Sequence, residues 1–459
     1  ELDDRDRPEP SRGPRPAGTD PCTLQTREPF VTRDVLLRAL NLCLASRDIP
    51  SSEKVGITTG LPKNEGLVNS TDDLRPISVG PGISRLLNKI MADRLSELLV
   101  RHSVLDKAQF AFLPGGDVHG PISSTLAAYR DRVKHRKACY AIFYDISKAY
   151  DTIRWASIRT AMTAIGLPEA FTEFVMNSLK GTKLAMRTNV PGNITPQVEM
   201  HKAIKQGCPL APLLFVIVMD ELHCALRERH NGYALGRGTK GKLKIQSRGY
   251  CDDTCVMSTT IEDLTAMNKT VHEFFTAHGL RINSKKTKVT GRNADQTPFT
   301  GTILWPGSNK RFDTVPPDKP IKYLGAHITL DLDWTAHTNK LNALVMTTVH
   351  HLSNGRLSLL QAASLIKYVT GPRMEIGMRH ADIALAQLQK WDKFLATALA
   401  NRAGMASDKI HESGVAISCR LHPLTNQYLA TKMAYAMELL TRKSELRDHH
   451  TRSLGPVIT

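Results

Sequence analysis

The spacing of apolar and polar positions predicts a chain built mainly from amphipathic helices. Apolar residues recur at helical spacing in residues 31–48, 82–104, 210–226 and 261–278. Gly279 follows the last of these segments, at a position where glycine commonly ends a helix. The pattern beyond Tyr323 is again mainly helical.

Two stretches interrupt this pattern and predict strands. Residues 139–145, "CYAIFYD", form an unbroken apolar run that ends on an acid, which is typical of a buried strand with a carboxylate at its end. Residues 147–166 then turn helical before Gly166, and residues 250–258, "YCDDTCVMS", resemble a buried hairpin. Strands and helices that mix without regular βαβ alternation indicate an α+β fold, an antiparallel sheet backed by helices.

The hairpin raises a question, because Asp252 and Asp253 are adjacent acids between apolar neighbours. A solvated turn is one interpretation, since aspartates are common in turns. A divalent metal site is the other, because carboxylates are the ligands that Mg²⁺ prefers. Asp145 ends the other predicted strand, and strand pairing can bring it to the same place. Three such carboxylates could hold two Mg²⁺ ions about 4 Å apart, the arrangement of phosphoryl transfer enzymes.

The net charge of the chain indicates which kind of molecule it binds. The chain of 459 residues carries 61 Lys and Arg against 44 Asp and Glu, a net charge of +17, which favours a polyanionic partner such as nucleic acid. No apolar run approaches the ~18 residues that span a bilayer, so we expect no membrane partner. The eight cysteines form no CxxC pair, which excludes the usual zinc spacing and favours reduced, intracellular thiols.

Five motifs follow one another in order: "FYDISKAYDTIRW" (143–155), "KQGCPLAPLLFVIVMDEL" (205–222), "YCDD" (250–253), "GLRINSKKTKV" (279–289) and "KYLG" (322–325). They resemble the ordered motifs of reverse transcriptases of the non-LTR (LINE-type) retrotransposon branch. Upstream, "LPKNEG" (61–66), "LRPISV" (74–79) and "QFAFLPGG" (109–116) resemble fingers motifs of that branch. The resemblance covers roughly residues 45–400.

The resemblance implies a right-hand polymerase fold with fingers, palm and helical thumb. It also implies that Asp145, Asp252 and Asp253 are catalytic metal ligands for two Mg²⁺ ions, with Mn²⁺ as a substitute. The expected partners are an RNA template, a DNA primer and dNTPs. Residues implied to bind the incoming nucleotide are Lys63, Arg75, Ile146, Tyr150, Gln206 and Gly207.

Further roles follow from the same motifs. Lys286 matches a catalytic lysine that protonates pyrophosphate, and Tyr323, Leu324 and Gly325 match the primer grip. Each has an ordinary alternative: a solvated charge for Lys63, Arg75 and Lys286, a plain loop for Gln206 and Gly207, and a buried hairpin turn for the primer grip.

Tyr150 bears on the product of the reaction. The family places a bulky ring five residues after the first acid, against C2′ of the incoming sugar, where it excludes a 2′-OH sterically. DNA is therefore the implied product. Without the motif, an aromatic residue in an amphipathic stretch is more often part of the core.

The sequence also departs from the family. Ala111 stands where glycine is usual, Leu113 replaces a common basic residue, and "HKAIKQG" lacks a glycine three residues before Gln206. These departures concern template contacts and leave the three acids intact.

Composition and motif order predict five regions. Residues 1–30 are a disordered or linker segment, 31–138 the N-terminal and fingers region, 139–320 the palm with fingers insertions, 321–400 the primer grip and thumb, and 401–459 a helical extension without an assigned role.

Three functional hypotheses follow. The leading one is an RNA-directed DNA polymerase of a non-LTR retrotransposon that acts in the nucleus at the site of integration. The second is a decayed or co-opted relic that binds nucleic acid without catalysis, against which the intact acids and Tyr150 count. The third is an intron-encoded reverse transcriptase or maturase.

Overall fold

The computed structural model describes residues 29–63, 68–188, 192–236, 243–404 and 421–441. The segment predicted to be disordered, residues 1–30, lies outside the described residues except for its last two, which begin a helix. Much of the predicted C-terminal extension also lies outside them.

Helices are numbered along the described chain. They are α1 (Pro29–Ala45), α2 (Gly82–Arg101), α3 (His119–His135), α4 (Ala149–Thr152), α5 (Trp155–Ala164), α6 (Glu169–Leu179), α7 (Ala211–Arg229), α8 (Ile261–His278), α9 (Thr335–Asn354), α10 (Leu359–Leu365), α11 (Gly371–Met378), α12 (Leu385–Arg402) and α13 (Leu424–Thr441). A short π-helix (Ile366–Thr370) lies between α10 and α11, and 3₁₀ turns occupy Ser51–Lys54 and Thr71–Asp73.

The strands are short. They are β1 (Val55–Pro62), β2 (Leu74–Val79), β3 (Cys139–Tyr144), β4 (Lys183–Met186), β5 (Val198–Glu199), β6 (Tyr233–Ala234), β7 (Lys244–Ile245), β8 (Ser247–Tyr250), β9 (Asp253–Ser258), β10 (Lys288–Arg292), β11 (Asp313–Thr314), β12 (Ile321–Tyr323) and β13 (Ala326–Ile328).

Most predicted elements are confirmed, including the strand that ends at Asp145 and the hairpin of residues 250–258. The helix predicted over residues 147–166 is instead split into α4 and α5. Ile153 is extended at the break, and its carbonyl accepts a hydrogen bond from the Ala203 N–H at 2.9 Å. This long-range bond takes the place of a helical one, which local periodicity could not reveal.

Contacts divide the chain into two compact units. Of the described residues, the first unit comprises those up to 104 and those of 148–218, and the second comprises those of 105–147 and those from 219 onward. These boundaries differ from the predicted regions at residues 105–138, which motif order grouped with the fingers. The physical reason is backbone pairing, because Gln109 forms a parallel bridge with Gly249 of β8 in the second unit.

The first unit contains a four-stranded sheet in the order β2-β1-β4-β5. Strands β1 and β2 form an antiparallel hairpin in which Leu61 lies opposite Arg75, and β4 joins β1 in parallel. This hairpin carries the residues that the motifs assign to the incoming triphosphate.

The second unit contains a five-stranded sheet in the order β11-β10-β3-β9-β8, with β3 at its centre. On one face, Phe143 and Cys255 share a core with Leu126 of α3. On the other, Tyr144 packs against Phe275 of α8, with ring centroids 6.4 Å apart. Because helices cover both faces, β3 is buried along its whole length, which explains its unbroken apolar sequence.

The predicted thumb region belongs to the same second unit. Helices α9 to α12 contribute to the core that includes the central sheet, with Trp391 fully buried and its Nε1–H donating to Asn342 Oδ1 at 2.9 Å. The Asp392 carboxylate accepts from the N–H groups of Leu424 and Thr425 (2.5 and 3.0 Å) and so caps the start of α13. None of the described helices combines the length and apolarity that crossing a bilayer requires.

A buried histidine links α7 to the edge strand β8. His223 is fully buried, and its Nδ1 shares a 2.8 Å hydrogen bond with Ser247 Oγ. Burial lowers the pKa of His223 from its usual 6.5 to about 4; the nearby Asp106 opposes that shift, and Arg248 adds to it. The native state therefore keeps this imidazole neutral where an unfolded chain would protonate it.

This histidine gives a prediction for stability. Between pH 6.5 and 4 the unfolded state binds a proton that the native state does not, so the free energy of unfolding falls as pH falls through this window. In His223→Gln that fall should be smaller by up to about 3 kcal/mol, since one pKa unit corresponds to about 1.4 kcal/mol. Urea unfolding at several pH values measures it. The exposed His350→Gln is the control and should keep the wild-type slope.

Candidate active site

Asp145 is held at the end of the central strand by its backbone. Its N–H donates to Thr287 Oγ1 at 3.2 Å, and its carbonyl accepts from the Asn283 N–H at 2.9 Å. The next residue, Ile146, is buried and forms an antiparallel bridge with Ile282. The "GLRINSKKTKV" motif therefore fixes the chain on both sides of the first acid.

The second and third acids lie in the tight β8–β9 hairpin. Tyr250 pairs with Asp253, so Cys251 and Asp252 form a two-residue turn. Cys251 has a left-handed φ of 60°, a conformation that glycine favours and that strains other residues. The sequence folds this way although no glycine stands at the turn.

Strand register brings the acids together. Strands β3 and β9 are antiparallel, and Tyr144 lies opposite Thr254. The same register continued by one residue sets Asp145 opposite Asp253. Directly opposed residues have Cβ atoms about 5 Å apart. The structure therefore places all three predicted metal ligands at one end of the sheet.

The electrostatics agree with this geometry. The Asp253 residue keeps an exposed surface, but the protein around its carboxyl group removes much of the water there, and this desolvation is the main cause that raises its pKa to about 7. The charges of Asp252 and Asp145 add to the rise. Lys322 acts in the opposite direction. The three acids therefore repel one another, as carboxylates do when they are arranged for a cation.

These acids have the chemistry that a divalent cation needs. They are hard oxygen donors on fixed backbone, and a cation would relieve their repulsion. Within the ranges that the structure describes, however, no three His, Cys, Asp or Glu side chains already converge as a closed metal cage. The fit of the three acids to a divalent cation therefore rests on backbone register and on charge.

The predicted primer grip is a second hairpin, formed by β12 and β13. Leu324 and Gly325 have φ values of 48° and 88° and make its turn. Tyr323 is buried, with its ring edge against Phe143 and its hydroxyl donating to the Arg248 carbonyl at 3.3 Å. Tyr323 therefore anchors the hairpin to the sheet, whereas the turn residues are the more accessible part.

Lys286 lies in an exposed turn of the second unit, where its N–H donates to the Asn283 carbonyl at 3.1 Å. Its neighbour Lys288 is engaged by Asp313 at 2.6 Å. Among the described residues no ion pair involves the Lys286 ammonium. The structure does not bring this ammonium into an ion pair with the acids.

In the first unit, Lys63 and Arg75 lie on the β1–β2 hairpin, and both side chains are exposed. The Lys63 N–H donates to the Asp73 carbonyl at 2.8 Å, which closes the hairpin. Lys63 and Lys148 both act to lower the pKa of Asp151, although burial has the larger effect and raises it. Lys63 is thus close enough to Asp151 for their charges to interact.

Tyr150 is held by an aromatic stack. Its ring lies nearly parallel to that of Phe215, with an interplanar angle of 11° and centroids 5.2 Å apart. The Tyr150 carbonyl accepts from the Ile204 N–H at 2.9 Å, which ties α4 to the segment before Gln206. The stack leaves the ring few orientations.

Gln206 and Gly207 approach strand β2 closely. The Ser78 N–H donates to the Gln206 carbonyl at 2.6 Å. Gly207 has φ of 115°, and a Cβ there would lie 2.5 Å from the Ser78 carbonyl oxygen. Glycine is therefore required at this position by both conformation and space.

Three residues near these sites received no role in the sequence prediction, although each stands within a quoted motif. Gln109 contacts the acid hairpin, Phe215 holds Tyr150, and Lys322 influences Asp253. The charge of Lys322 beside the primer-grip tyrosine was a signal for its role. The roles of Gln109 and Phe215 depend on contacts between segments distant in sequence, which motif matching does not reveal.

Two paired strands thus bring three acids to one end of a sheet, and the motifs around them follow one order along the chain. The chain belongs to the reverse transcriptase (RNA-dependent DNA polymerase) family, which matches residues 61–328, more than half of its length. The predicted fold class, a right-hand polymerase fold of mixed helices and sheets, is confirmed. The resemblance to the non-LTR retrotransposon branch is confirmed as well.

The relatives are more specific than the family. The "Retrovirus-related Pol polyprotein from type-1 retrotransposable element R2" of Popillia japonica is 28% identical over 396 residues, 84% of this chain and 52% of that protein. The corresponding protein of type-2 element R2DM from Drosophila melanogaster is 26% identical over 389 residues, 84% of this chain and 35% of that protein. The chain thus spans about half of these relatives or less.

One further relative is the "Probable RNA-directed DNA polymerase from transposon BS" of Drosophila melanogaster, 25% identical over 52% of this chain and 25% of that protein. Among solved structures, apo telomerase from Candida tropicalis matches with a TM-score of 0.43 and 12% identity, over 87% of this chain and 69% of that chain. That likeness is too distant to inform function.

Gly207 gives a test of the first unit. Gly207→Ala should destabilise the protein by about 1–3 kcal/mol, because the new Cβ meets the Ser78 carbonyl in a strained conformation. Gly192→Ala is the matched control, since Gly192 also has a positive φ (81°) but open space around it. Thermal unfolding of both variants measures the difference. Equal stability of the two would contradict the close approach at Gly207.

Proposed function

We propose that this chain is the polymerase region of an R2-like non-LTR retrotransposon protein, which extends a primer 3′-OH with dNTPs on an RNA template. The observation that carries this proposal is the β3–β9 register, whose last pair, Tyr144 with Thr254, is adjacent to Asp145 on one strand and to Asp253 on the other. Membership of the reverse transcriptase family and the names of the relatives support it.

Reverse transcriptases in general use divalent metal ions. We propose that Asp145, Asp252 and Asp253 hold two Mg²⁺ ions here, with Mn²⁺ as a substitute. When bound, such a pair of ions would supply charge stabilisation to the attacking and leaving oxygens of the transferred phosphoryl group. The contribution of the chain is to hold three carboxylates on rigid strand ends, so that little has to be reorganised during reaction.

The remaining roles rest on the motifs and on local geometry. Lys63 and Arg75 are exposed cations suited to a triphosphate. Gln206 and Gly207 offer close backbone approach, and the buried Ile146 would shape the nucleotide site through its backbone. Lys286 is an exposed ammonium that could hold the proton for pyrophosphate, and Leu324 and Gly325 present the turn of the primer grip, with Tyr323 as its anchor.

The regions of the chain fit the same proposal. The first unit would supply the N-terminal and fingers region, and the sheet of the second unit would be the palm. The hairpin of β12 and β13, with α9 to α12, would form the primer grip and thumb. The partners would be an RNA template, a DNA primer and dNTPs.

Asp252→Asn tests the proposed metal site. Loss of one carboxylate should lower dNTP incorporation by at least about 100-fold, since even a single hydrogen-bond donor to a transition state contributes about 10²–10³. Template–primer binding should change little. Primer extension on poly(rA)/oligo(dT) with Mg²⁺ measures incorporation, and a gel-shift titration measures binding.

The exposed Asp318→Asn is the control for this experiment, because it removes the same charge elsewhere in the second unit. It should retain wild-type activity. Incorporation by Asp252→Asn within tenfold of the wild type would contradict the assignment. A wild-type protein that binds template–primer without extending it would indicate a co-opted relic instead.

Tyr150→Ala tests the proposed choice of sugar. Without the ring, space opens beside C2′, so the ratio of kcat/KM for dTTP over UTP should fall at least about tenfold, because discrimination is a difference in transition-state binding. Tyr150→Phe is the control, since it keeps the ring and its stack on Phe215. Single-nucleotide kinetics on one primer decide the outcome. An unchanged ratio in Tyr150→Ala would show that the ring only packs the core.

A further inference from the structure

A short segment that the proposed mechanism does not use lies along the strand that leads to the acids. We call residues 106–111 the bracing segment. The Gly249 N–H donates to the Ala108 carbonyl at 2.8 Å, and the Phe110 N–H donates to the Gly249 carbonyl at 3.1 Å. The bracing segment thus pairs with β8 only a few residues before Asp252.

Within this segment, Gln109 reaches the turn itself. Its Oε1 accepts from the N–H groups of Phe110 and Ala111, each at 3.1 Å, and from the Cys251 N–H at 3.2 Å. Three backbone donors converge on this atom, so it must be the oxygen of the amide. Gln109 is only 4% exposed, and its amide is therefore committed to this position.

The turn needs such support. Cys251 has a φ of 60°, and a left-handed non-glycine residue costs about 1–3 kcal/mol. Strain of this kind persists only where the surroundings hold it, and it concentrates at functional sites. Among the described contacts, the Gln109 oxygen is a side-chain acceptor that ties this strained residue to another part of the chain.

The bracing segment is itself anchored at its start. Asp106 accepts from Arg227 Nε–H at 2.6 Å and from the Ala108 N–H at 2.8 Å, while its own N–H donates to Asp220 Oδ1 at 2.6 Å. Both partners from outside the segment lie on α7. The support therefore runs from a long helix through Asp106 to Gln109.

Gly249 allows this close packing. A Cβ on Gly249 would lie 2.5 Å from His223 Nε2 and 3.5 Å from Gln109 Nε2. Only a residue without a side chain lets the bracing segment and α7 meet β8 here.

We propose that Gln109 is a positioning residue, which holds the strained Cys251 turn so that Asp252 and Asp253 stay in a reactive arrangement. It touches neither substrate nor metal and acts through the Cys251 N–H. The inference rests on the proposed polymerase function, but the hydrogen bond can be tested without it.

The test compares Gln109→Met with Gln246→Met. Methionine matches glutamine in length but accepts no comparable hydrogen bond. Gln246 is a second buried glutamine, directly before β8, where its Nε2–H group donates to the His230 carbonyl at 3.3 Å and not to the acid turn. The Gln246→Met variant therefore shows what the loss of a buried amide does when that amide does not contact the acid turn.

Two readouts are needed, and a merely structural role would not produce both. In Gln109→Met, kcat for dNTP incorporation should fall about tenfold, equivalent to a hydrogen bond of about 1.4 kcal/mol, with KM and template–primer Kd within about twofold. The Mg²⁺ concentration for half-maximal rate should rise. Hydrogen exchange of the Cys251 amide should become about tenfold faster. Gln246→Met should match the wild type in both readouts.

Several outcomes would overturn the proposal: kcat within twofold of the wild type, exchange at Cys251 unchanged, or equal losses in kcat and template–primer binding. If the wild-type chain proves inactive, the proposed function fails, and exchange alone still decides whether Gln109 holds the turn. If Gln109→Met does not fold, Gln109→Asn serves in its place, because the shorter amide stays polar but cannot reach the Cys251 N–H.

Discussion

The antiparallel pairing of β3 with β9 is the interaction on which the candidate site depends. It places Asp145 opposite Asp253 and so concentrates negative charge at one end of a buried sheet. Two like charges that face each other across paired strands destabilise the pairing of those strands. The sheet tolerates them because helices cover both of its faces and the buried pairs from Tyr140 to Tyr144 hold the register. Site and core are therefore coupled, since a one-residue slip would separate the acids and would also exchange the side chains that each of the two buried faces of β3 presents to its helices.

The surroundings of the acids are fixed by hydrogen bonds that each involve at least one backbone group. The Asn283 and Thr287 bonds hold Asp145, the bracing segment holds β8, and Tyr323 anchors the β12–β13 hairpin to the same sheet. Segments distant in the sequence therefore hold the ends of the strands that carry the three acids.

The sequence predicted this core well where local pattern and local chemistry coincide. The apolar run of β3 forms a buried strand, and an acid follows it directly, as expected. The helical spacing of apolar residues in α2, α7 and α8 also appears as expected. It did not predict the break at Ile153, the stack of Tyr150 on Phe215, or the pairing of Gln109 with Gly249. Each of these depends on a partner far away in the chain, and periodicity records only neighbours. The family resemblance implied roles for Lys63, Arg75 and Lys286. The contacts within each unit do not test these roles, which therefore stay predictions.

The division of the second unit into two stretches of sequence has a consequence for synthesis. Strand β3 ends at residue 144, but its partner β9 begins only at residue 253. At translation rates of 5–20 residues per second, roughly 5–20 s pass before the partner is made. During that interval an entirely apolar strand has an open edge, the state most exposed to wrong pairing with other chains. Strand β3 lies at the centre of the folded sheet. During synthesis it is therefore a strand that chaperones would need to protect.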